Sequence, residues 1–310
     1  MGENARIDVA ILGAVPQEVE GLLRFTGCVQ PLRHLGVDFR AGLYEGRSLL
    51  IGTTGLGKVN AAVTAASLLD RFDIGEVWNV GSAGAYEEGP LAVGDVLFST
   101  EAIAGDEGIL AVNGVLPLAD IGIPLVKRGD EAFFDSFPLG DRTVVAKPEK
   151  SPPGLYRPGG EPSPGARLLC EEGRTHCPDG CDPGLSEASP APGRASPRAE
   201  LPADEGVEGS PFHLFHGPSL TVSMVSGDPE TAHARYARHG AYAENMEGSA
   251  VVHACFRFGV PVAEIRGISN IAGNRNRRDW RLRAAVAHCH GILLKLLGPA
   301  EPYEPCPPDA

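Results

Sequence analysis

The chain has 310 residues, 43% of them hydrophobic, and a formal net charge of -13. That length supports one large core or two modest ones, and the acidity argues against nonspecific binding to nucleic acid or to an anionic membrane. No stretch approaches the roughly 20 apolar residues of a transmembrane helix, and the apolar run at 9–15 lacks the flanks of a signal peptide. The seven cysteines are scattered and odd in number, which suits a reducing, cytoplasmic setting better than a disulfide scaffold.

In chain order, residues 7–12 read as a buried strand, 13–16 as a turn, and 17–24 as the start of a helix with Val19, Leu22 and Leu23 on one face. Residues 48–53 form another strand. Residues 58–72 form a helix, with Val59, Ala62, Val63, Ala66 and Leu69 recurring at helical spacing. A strand at 76–80 ends in Gly81-Ser82-Ala83-Gly84. This alternation predicts an α/β fold: a three-layer αβα arrangement around a twisted, mostly parallel mixed sheet.

Residues 147–210 differ. They hold close to half of the 27 prolines and few large apolar side chains. Such a segment buries too little surface to offset its ordering entropy, so it reads as a disordered insertion in a single domain spanning 1–300. Its His176, Cys170, Cys177 and Cys181 lack a paired Cys-x-x-Cys spacing and do not make a metal site. Order returns at 212–297. A strand is expected at 219–226, and a helix at 243–258 that carries Met246, Ala250, Val251, Ala254, Cys255 and Phe258 on one side. A strand follows at 261–268. Asp279 is placed to cap a last helix with Leu282, Ala285, Val286, Cys289, Leu293 and Leu296 facing inward. The tail at 301–310 is expected to fray.

In a parallel α/β sheet, ligands collect beyond the carboxyl ends of strands, and four such ends carry unusual residues. Glu18 follows the first strand, as a dipole partner at a helix start or as an acid facing a ligand. Ser82, Ala83 and Gly84 are small enough for their backbone N–H groups to approach a ligand, or simply for a tight turn. Glu247, after Met246, falls beside an apolar stripe, where a carboxylate needs a partner unless the helix turns it to solvent. Ser269 and Asn270 end a buried strand, where Asn often makes a cap or turn. Gly55-Leu56-Gly57-Lys58 lacks the spacing of a triphosphate-binding loop.

The order and separation of these motifs resemble the purine nucleoside phosphorylase and methylthioadenosine nucleosidase family. The likeness spans roughly 7–105 and 219–296: Gly-Ala-x-x-x-Glu at 13–18, Gly-Ser-Ala-Gly at 81–84, Val-Gly-Asp at 93–95, Val-Ser-Gly-Asp at 225–228, Asn-Met-Glu-Gly at 245–248 and Ile-Ser-Asn at 268–270. Members attack the anomeric carbon with phosphate or with water. Asn79 stands where the phosphorylases resemble one another in an arginine that holds phosphate, and Glu18 replaces a second phosphate grip. Both departures favour water, because a carboxylate repels phosphate and accepts a proton. The nucleosidases that release adenine carry Asp after the serine. Asn270 offers a donor and an acceptor together, which suits a 6-oxopurine. The run Glu-Ile-Arg-Gly-Ile-Ser-Asn with Gly273, Arg275 and Trp280 looks similar to the futalosine-hydrolysing branch.

The resemblance implies a purine nucleoside substrate, no metal, no cofactor and a homodimer. It assigns water activation to Glu18, ribose hydroxyls to Glu247, ribose packing to Met246, and the departing base to Asn270 held by Ser269. Ser82, Ala83 and Gly84 line the water and base side. Arg275, with Arg277 and Arg278, is either the partner of a substrate carboxylate or part of a solvated basic turn. An adenine-releasing nucleosidase, a phosphorylase and a non-catalytic nucleoside-binding protein stay open as rivals.

Overall fold

The computed structural model describes residues 6–111, 114–140 and 212–298. The expected insertion at 147–210, its cysteines and His176, and the expected tail at 301–310 lie outside these residues. Strand β1 (Arg6–Gly13) leads through a 3-10 turn (Pro16–Glu18) into α1 (Glu20–Thr26). An antiparallel run of β2 (Gln30–His34), β3 (Val37–Tyr44) and β4 (Arg47–Thr53) precedes α2 (Lys58–Arg71) and the long β5 (Asp73–Ala85). After β6 (Val96–Ala104) come short elements: β7 (Ile109–Ala111), β8 (Gly114–Leu116), α3 (Leu118–Ile121), β9 (Val126–Arg128), β10 (Glu131–Phe133) and β11 (Ser136–Pro138). The last part holds β12 (Leu214–Thr221), α4 (Pro229–His239), β13 (Ala243–Asn245), α5 (Gly248–Phe258), β14 (Val262–Ile271) and α6 (Leu282–Leu297).

Ten strands make one sheet in the order β11-β6-β12-β13-β5-β1-β4-β3-β2, with β14 pairing both β5 and β6. The centre is parallel, β4 to β1, β1 to β5 and β5 to β14. The β6–β12 and β12–β13 pairs are parallel as well, whereas β13 and β14 meet β5 and β6 antiparallel. The sheet is therefore mixed, with its parallel strands in the middle. Side chains of β1 alternate: Ala10 and Leu12 pack with α2 and α5, and Val9 and Ile11 pack with α1 and α6. Helices thus cover both faces, which is why β1 reads as a continuous apolar run. Each large aliphatic side chain buried this way contributes roughly 1.5–3 kcal/mol.

Several expected boundaries shift. The helix at 58–72 is present as α2, but it buries Ala61, Thr64, Ala65, Leu68 and Leu69, while Val59 and Val63 are 77% and 54% exposed. Its alanine side lies against α5 in the shared core. The single helix expected at 243–258 is instead β13 followed by α5, with Glu247 as the residue before the helix and Phe258 exposed. β13 is only three residues long, and its pairing with β12 and β5 overrides the helical pattern. Strand β5 does not stop at Val80 but runs through the glycine motif to Ala85, and β14 runs through Asn270 to Ile271. β12 ends at Thr221, and α1 starts at Glu20. Asp279 caps no helix. It sits in a 3-10 turn and accepts from Asn274 and Asn276, while Leu296 is exposed. Among the described residues no helix is long and apolar enough to cross a membrane.

Candidate active site

The site begins where β1 stops. Gly13 permits a close turn: a Cβ there would meet Val19 at 2.8 Å and the Cβ of Glu18 at 3.1 Å. The following 3-10 turn brings the Glu18 carboxylate back over the strand ends, 5% exposed. One of its oxygens accepts from the Ala14 N–H at 2.8 Å. The other accepts from the backbone N–H and the hydroxyl of Ser82, at 2.8 and 2.9 Å. Behind it, His290 of α6 donates through Nε2 to the Glu18 carbonyl at 2.8 Å. Burial holds that imidazole below its usual range, which keeps it a neutral brace.

Glu247 sits at the turn between β13 and α5, 6% exposed. Its Oε1 accepts from the Gly57 N–H at 2.8 Å. The turn is built by Asn245, whose Oδ1 accepts from the N–H groups of Glu247 and Gly248 at 3.1 and 2.7 Å. Burial raises the Glu247 carboxyl above the ordinary carboxylate range. The Gly57 N–H and the Arg266 charge pull the other way, and the Glu18 charge adds to the rise. The two carboxylates are thus near enough for the charge of one to act on the other.

Arg266 joins them. Its side chain is 1% exposed and donates through Nη2 to Glu264 Oε2 at 2.9 Å. Burial works against its charge, but Glu264, Glu18 and Glu247 together hold it above its usual range. Gly81 lies beneath: a Cβ there would fall 2.7 Å from Arg266 Nη1 and 2.8 Å from Glu18 Oε1. The two groups form no direct ion pair, and both crowd the same glycine, which leaves no room there for a side chain.

Asn270 enters from β14. The register slips between Ile268 and Asn270, so Ser269 bulges and Asn270 pairs with Gly84. The Asn270 carboxamide donates through Nδ2 to the Ile271 carbonyl at 2.9 Å, and its Oδ1 accepts from Ser269 Oγ at 2.8 Å. A carbonyl only accepts, so Ile271 fixes which end of the amide is which. One N–H and one lone pair stay open for a ligand. Ser82 on Glu18, the Ala83 carbonyl facing the Ser269 hydroxyl and Gly84 opposite Asn270 make β5 the bridge between the two ends of the site.

The structure thus gathers Glu18, Ser82, Ala83, Gly84, Glu247, Ser269 and Asn270 around the ends of β1, β5 and β14. Met246 is half-buried on the same turn as Glu247. Arg275 stands apart. Its guanidinium lies 5.2 Å from the Trp280 ring centroid, and it lines a groove of about 700 Å³ with Glu87, Glu88, Ile271, Gly273 and Asn274. Among the described residues no group of three or more His, Cys, Asp or Glu is placed to hold a metal. Sequence reading missed Arg266 and Gly57 as members of the site. Two charges at 264 and 266, on one face of an otherwise apolar strand, were the available signal. Gly57, remote by 190 residues from Glu247, gave none.

Other motif residues are structural. Asp95 accepts from the N–H groups of Ala92 and His213, and Asp228 caps α4 through Thr231. Lys58 pairs with Asp106 and Glu107 at 2.5 and 2.8 Å, so it is not a free phosphate grip.

Residues 8–298 match the model of the phosphorylase superfamily. Among curated proteins, the chain is 29% identical to futalosine hydrolase of Thermus thermophilus over 253 residues, 82% of this chain and 83% of that protein. It is 24% identical to the 5'-methylthioadenosine/S-adenosylhomocysteine nucleosidase of Bacillus pumilus over 295 residues, 93% of this chain and 97% of that one. In fold it is similar to a nucleosidase of that kind from Colwellia psychrerythraea, solved in complex with adenine, at a TM-score of 0.63 and 22% identity, covering 96% of each chain. It is also similar to futalosine hydrolase of Helicobacter pylori, at a TM-score of 0.60 and 17% identity over 94% of this chain and 97% of the other. With the family model covering nearly the whole described chain, this protein belongs to the phosphorylase superfamily.

Proposed function

We propose that the chain is an N-ribosyl hydrolase that releases hypoxanthine from futalosine, with water as the attacking group. The observation that carries this reading is that Glu18 Oε1 and Arg266 Nη1 both close over Gly81 without pairing directly, and the attacking water is assigned between them. A water held there donates to the carboxylate and accepts from the guanidinium, so a lone pair is left to face an anomeric carbon. As the bond from that carbon to the base nitrogen breaks, its electron pair goes to the purine and positive charge grows on the ribose. Glu18 takes the water proton, and the water oxygen closes on carbon. Glu247 accepts hydrogen bonds from the ribose hydroxyls, and these strengthen as the sugar becomes cationic. Met246, on the same turn, packs against the ribose.

The leaving purine takes its N7 proton from solvent, since a carboxamide has none to give, and Asn270 best accommodates it as a 6-oxopurine. Oδ1 then accepts from N7–H while the free Nδ2 proton goes to O6. The amino group of an adenine would instead meet Nδ2 donor to donor. Arg275, held over Trp280, is the proposed partner of the substrate carboxylate. A second reading, release of adenine from methylthioadenosine or S-adenosylhomocysteine, is favoured by relatives of that kind matching 93% of the chain. Incubation with futalosine in phosphate-free buffer, followed by chromatography, separates the readings. Hypoxanthine without added phosphate is expected. Turnover that requires phosphate, or that occurs only with adenine nucleosides, would refute the proposal.

A further inference from the structure

Behind the proposed water position lies a third buried acid, one that the reaction scheme does not use. Glu264 is 0% exposed near the start of β14. Its Oε2 accepts from Arg266 Nη2 at 2.9 Å and from Asn79 Nδ2 at 3.1 Å. Its Oε1 accepts from Ser99 Oγ at 2.8 Å and from the Ser219 hydroxyl. The donors come from β5, β6, β12 and β14 itself, so the carboxylate is pinned from four strands. Its far side is closed by α5: a Cβ on Gly248 would fall 2.0 Å from Oε2. The residue after Glu247 is a glycine because this carboxylate needs the space.

The hold matters because Arg266 has little else. Its Nε is buried without a partner, and among the described residues the bond to Glu264 is the one hydrogen bond its guanidinium makes. An arginine between two acids, freed from that anchor, would swing into a direct pair with one of them. A direct pair with Glu18 would displace the water assigned over Gly81 and take the lone pairs that water activation needs. We propose that Glu264 is a positioning residue, which holds Arg266 by Nη2 so that Nη1 faces the space above Gly81 instead of closing onto Glu18 or Glu247. The inference rests on the hydrolytic reading above.

The test is a double-mutant cycle on phosphate-free turnover of futalosine with Glu264→Gln, Arg266→Lys and the pair. Glutamine keeps the shape but removes the charge that anchors the guanidinium. Glu264→Gln is expected to lower kcat by up to about 100-fold, the scale of an ångström-sized misplacement, with KM unchanged within about threefold. In the Arg266→Lys background the same change is expected to cost nothing further. A merely structural role gives losses that multiply through the cycle, and that outcome, or wild-type kcat in Glu264→Gln, overturns the inference. If Glu264→Gln does not fold, Ser219→Ala, which removes one donor to Oε1, reads the same coupling with a smaller fall in kcat. Equal losses in both Arg266 backgrounds would then count against it. No phosphate-free base release by the unsubstituted enzyme would refute the hydrolytic reading itself, and is told apart because the parent activity is measured first.

Discussion

Ser82 gives both its backbone N–H and its hydroxyl to a single oxygen of Glu18, at 2.8 and 2.9 Å. With Ala14 on the other oxygen, the carboxylate is fixed at three points before any ligand arrives. In the proposed role of general base, a carboxylate held this way needs no reorganisation at the moment of proton transfer. Glu18→Gln keeps the shape but cannot take a proton, and should lower kcat by roughly 10²–10⁴-fold. Ser82→Ala keeps the N–H and loses only the hydroxyl, so its loss should stay below about tenfold, the scale of one hydrogen bond. Steady-state rates on one nucleoside check both. Glu18→Gln with unreduced kcat would remove Glu18 from water activation.

Gly81 tests the water position itself. Its backbone is not left-handed, so alanine is allowed there by φ. The added methyl would stand 2.7 Å from Arg266 Nη1 and 2.8 Å from Glu18 Oε1, in the space assigned to water. Both contacts are closer than a Cβ tolerates, so Gly81→Ala should push Glu18 or Arg266 aside, lower the Tm, and lose about 100-fold or more in kcat. Near-normal turnover would mean that the attacking water binds elsewhere.

Much of this site was legible before the structure, and the part that was not has a physical cause. Glu18, Glu247 and Asn270 stood out because polar side chains at the ends of apolar runs need partners. Their meeting place was not legible. The glycine motif at 81–84 reads as a turn, yet it is strand, because β13 and β14 pair with it from distant parts of the chain. α2 shows the same limit. Its valines mark one apolar stripe and its alanines another, and only the closeness of α5 decides that the alanine face is buried. The Glu264–Arg266 pair was visible as an i, i+2 spacing, but its link to Gly248 depends on a helix placed by the fold.

Glu247 carries a cost that pH exposes. Burial raises its carboxyl above the ordinary range, so the folded state prefers its neutral form. The stability tied to that neutral form is fully present below the ordinary glutamate value and is lost as pH rises through the raised one. Glu247→Gln removes the titration while retaining an acceptor for the Gly57 N–H. The Tm of the variant minus that of the parent should be near zero in acid and grow in the variant's favour as pH rises. Its kcat should fall by about 10²–10³-fold, the scale of a lost transition-state charge contact. A Tm difference that stays flat with pH would show that the charge on Glu247 is not strained.

Asn270 makes a prediction about the base. Ile271 fixes its Nδ2 and Ser269 its Oδ1, so the amide cannot turn over to suit an adenine. Asn270→Asp replaces the donor end by an acceptor that can meet the amino group. Losing or gaining one buried match is worth about 1–3 kcal/mol, so the ratio of kcat/KM for hypoxanthine over adenine nucleosides should drop by roughly 10- to 100-fold. Competition between inosine and adenosine, read by chromatography of the bases, measures that ratio directly. An unchanged ratio would place base recognition on other groups.

Arg275 lies beyond the residues proposed to meet ribose and base, and with Trp280 beside it lines the groove that runs along Ile271, Gly273 and Asn274. The groove also carries Glu87 and Glu88, which repel an anion, and His233, which is already paired with Glu88, so a carboxylate entering it is assigned to Arg275. Arg275→Gln should raise KM for a substrate that bears a carboxylate and leave inosine unaffected. The difference should be about tenfold, the low end for a partly exposed charge-assisted bond. Equal effects on both substrates would mean that Arg275 only braces Trp280, whose indole N–H already bonds the Asn274 carbonyl at 3.1 Å.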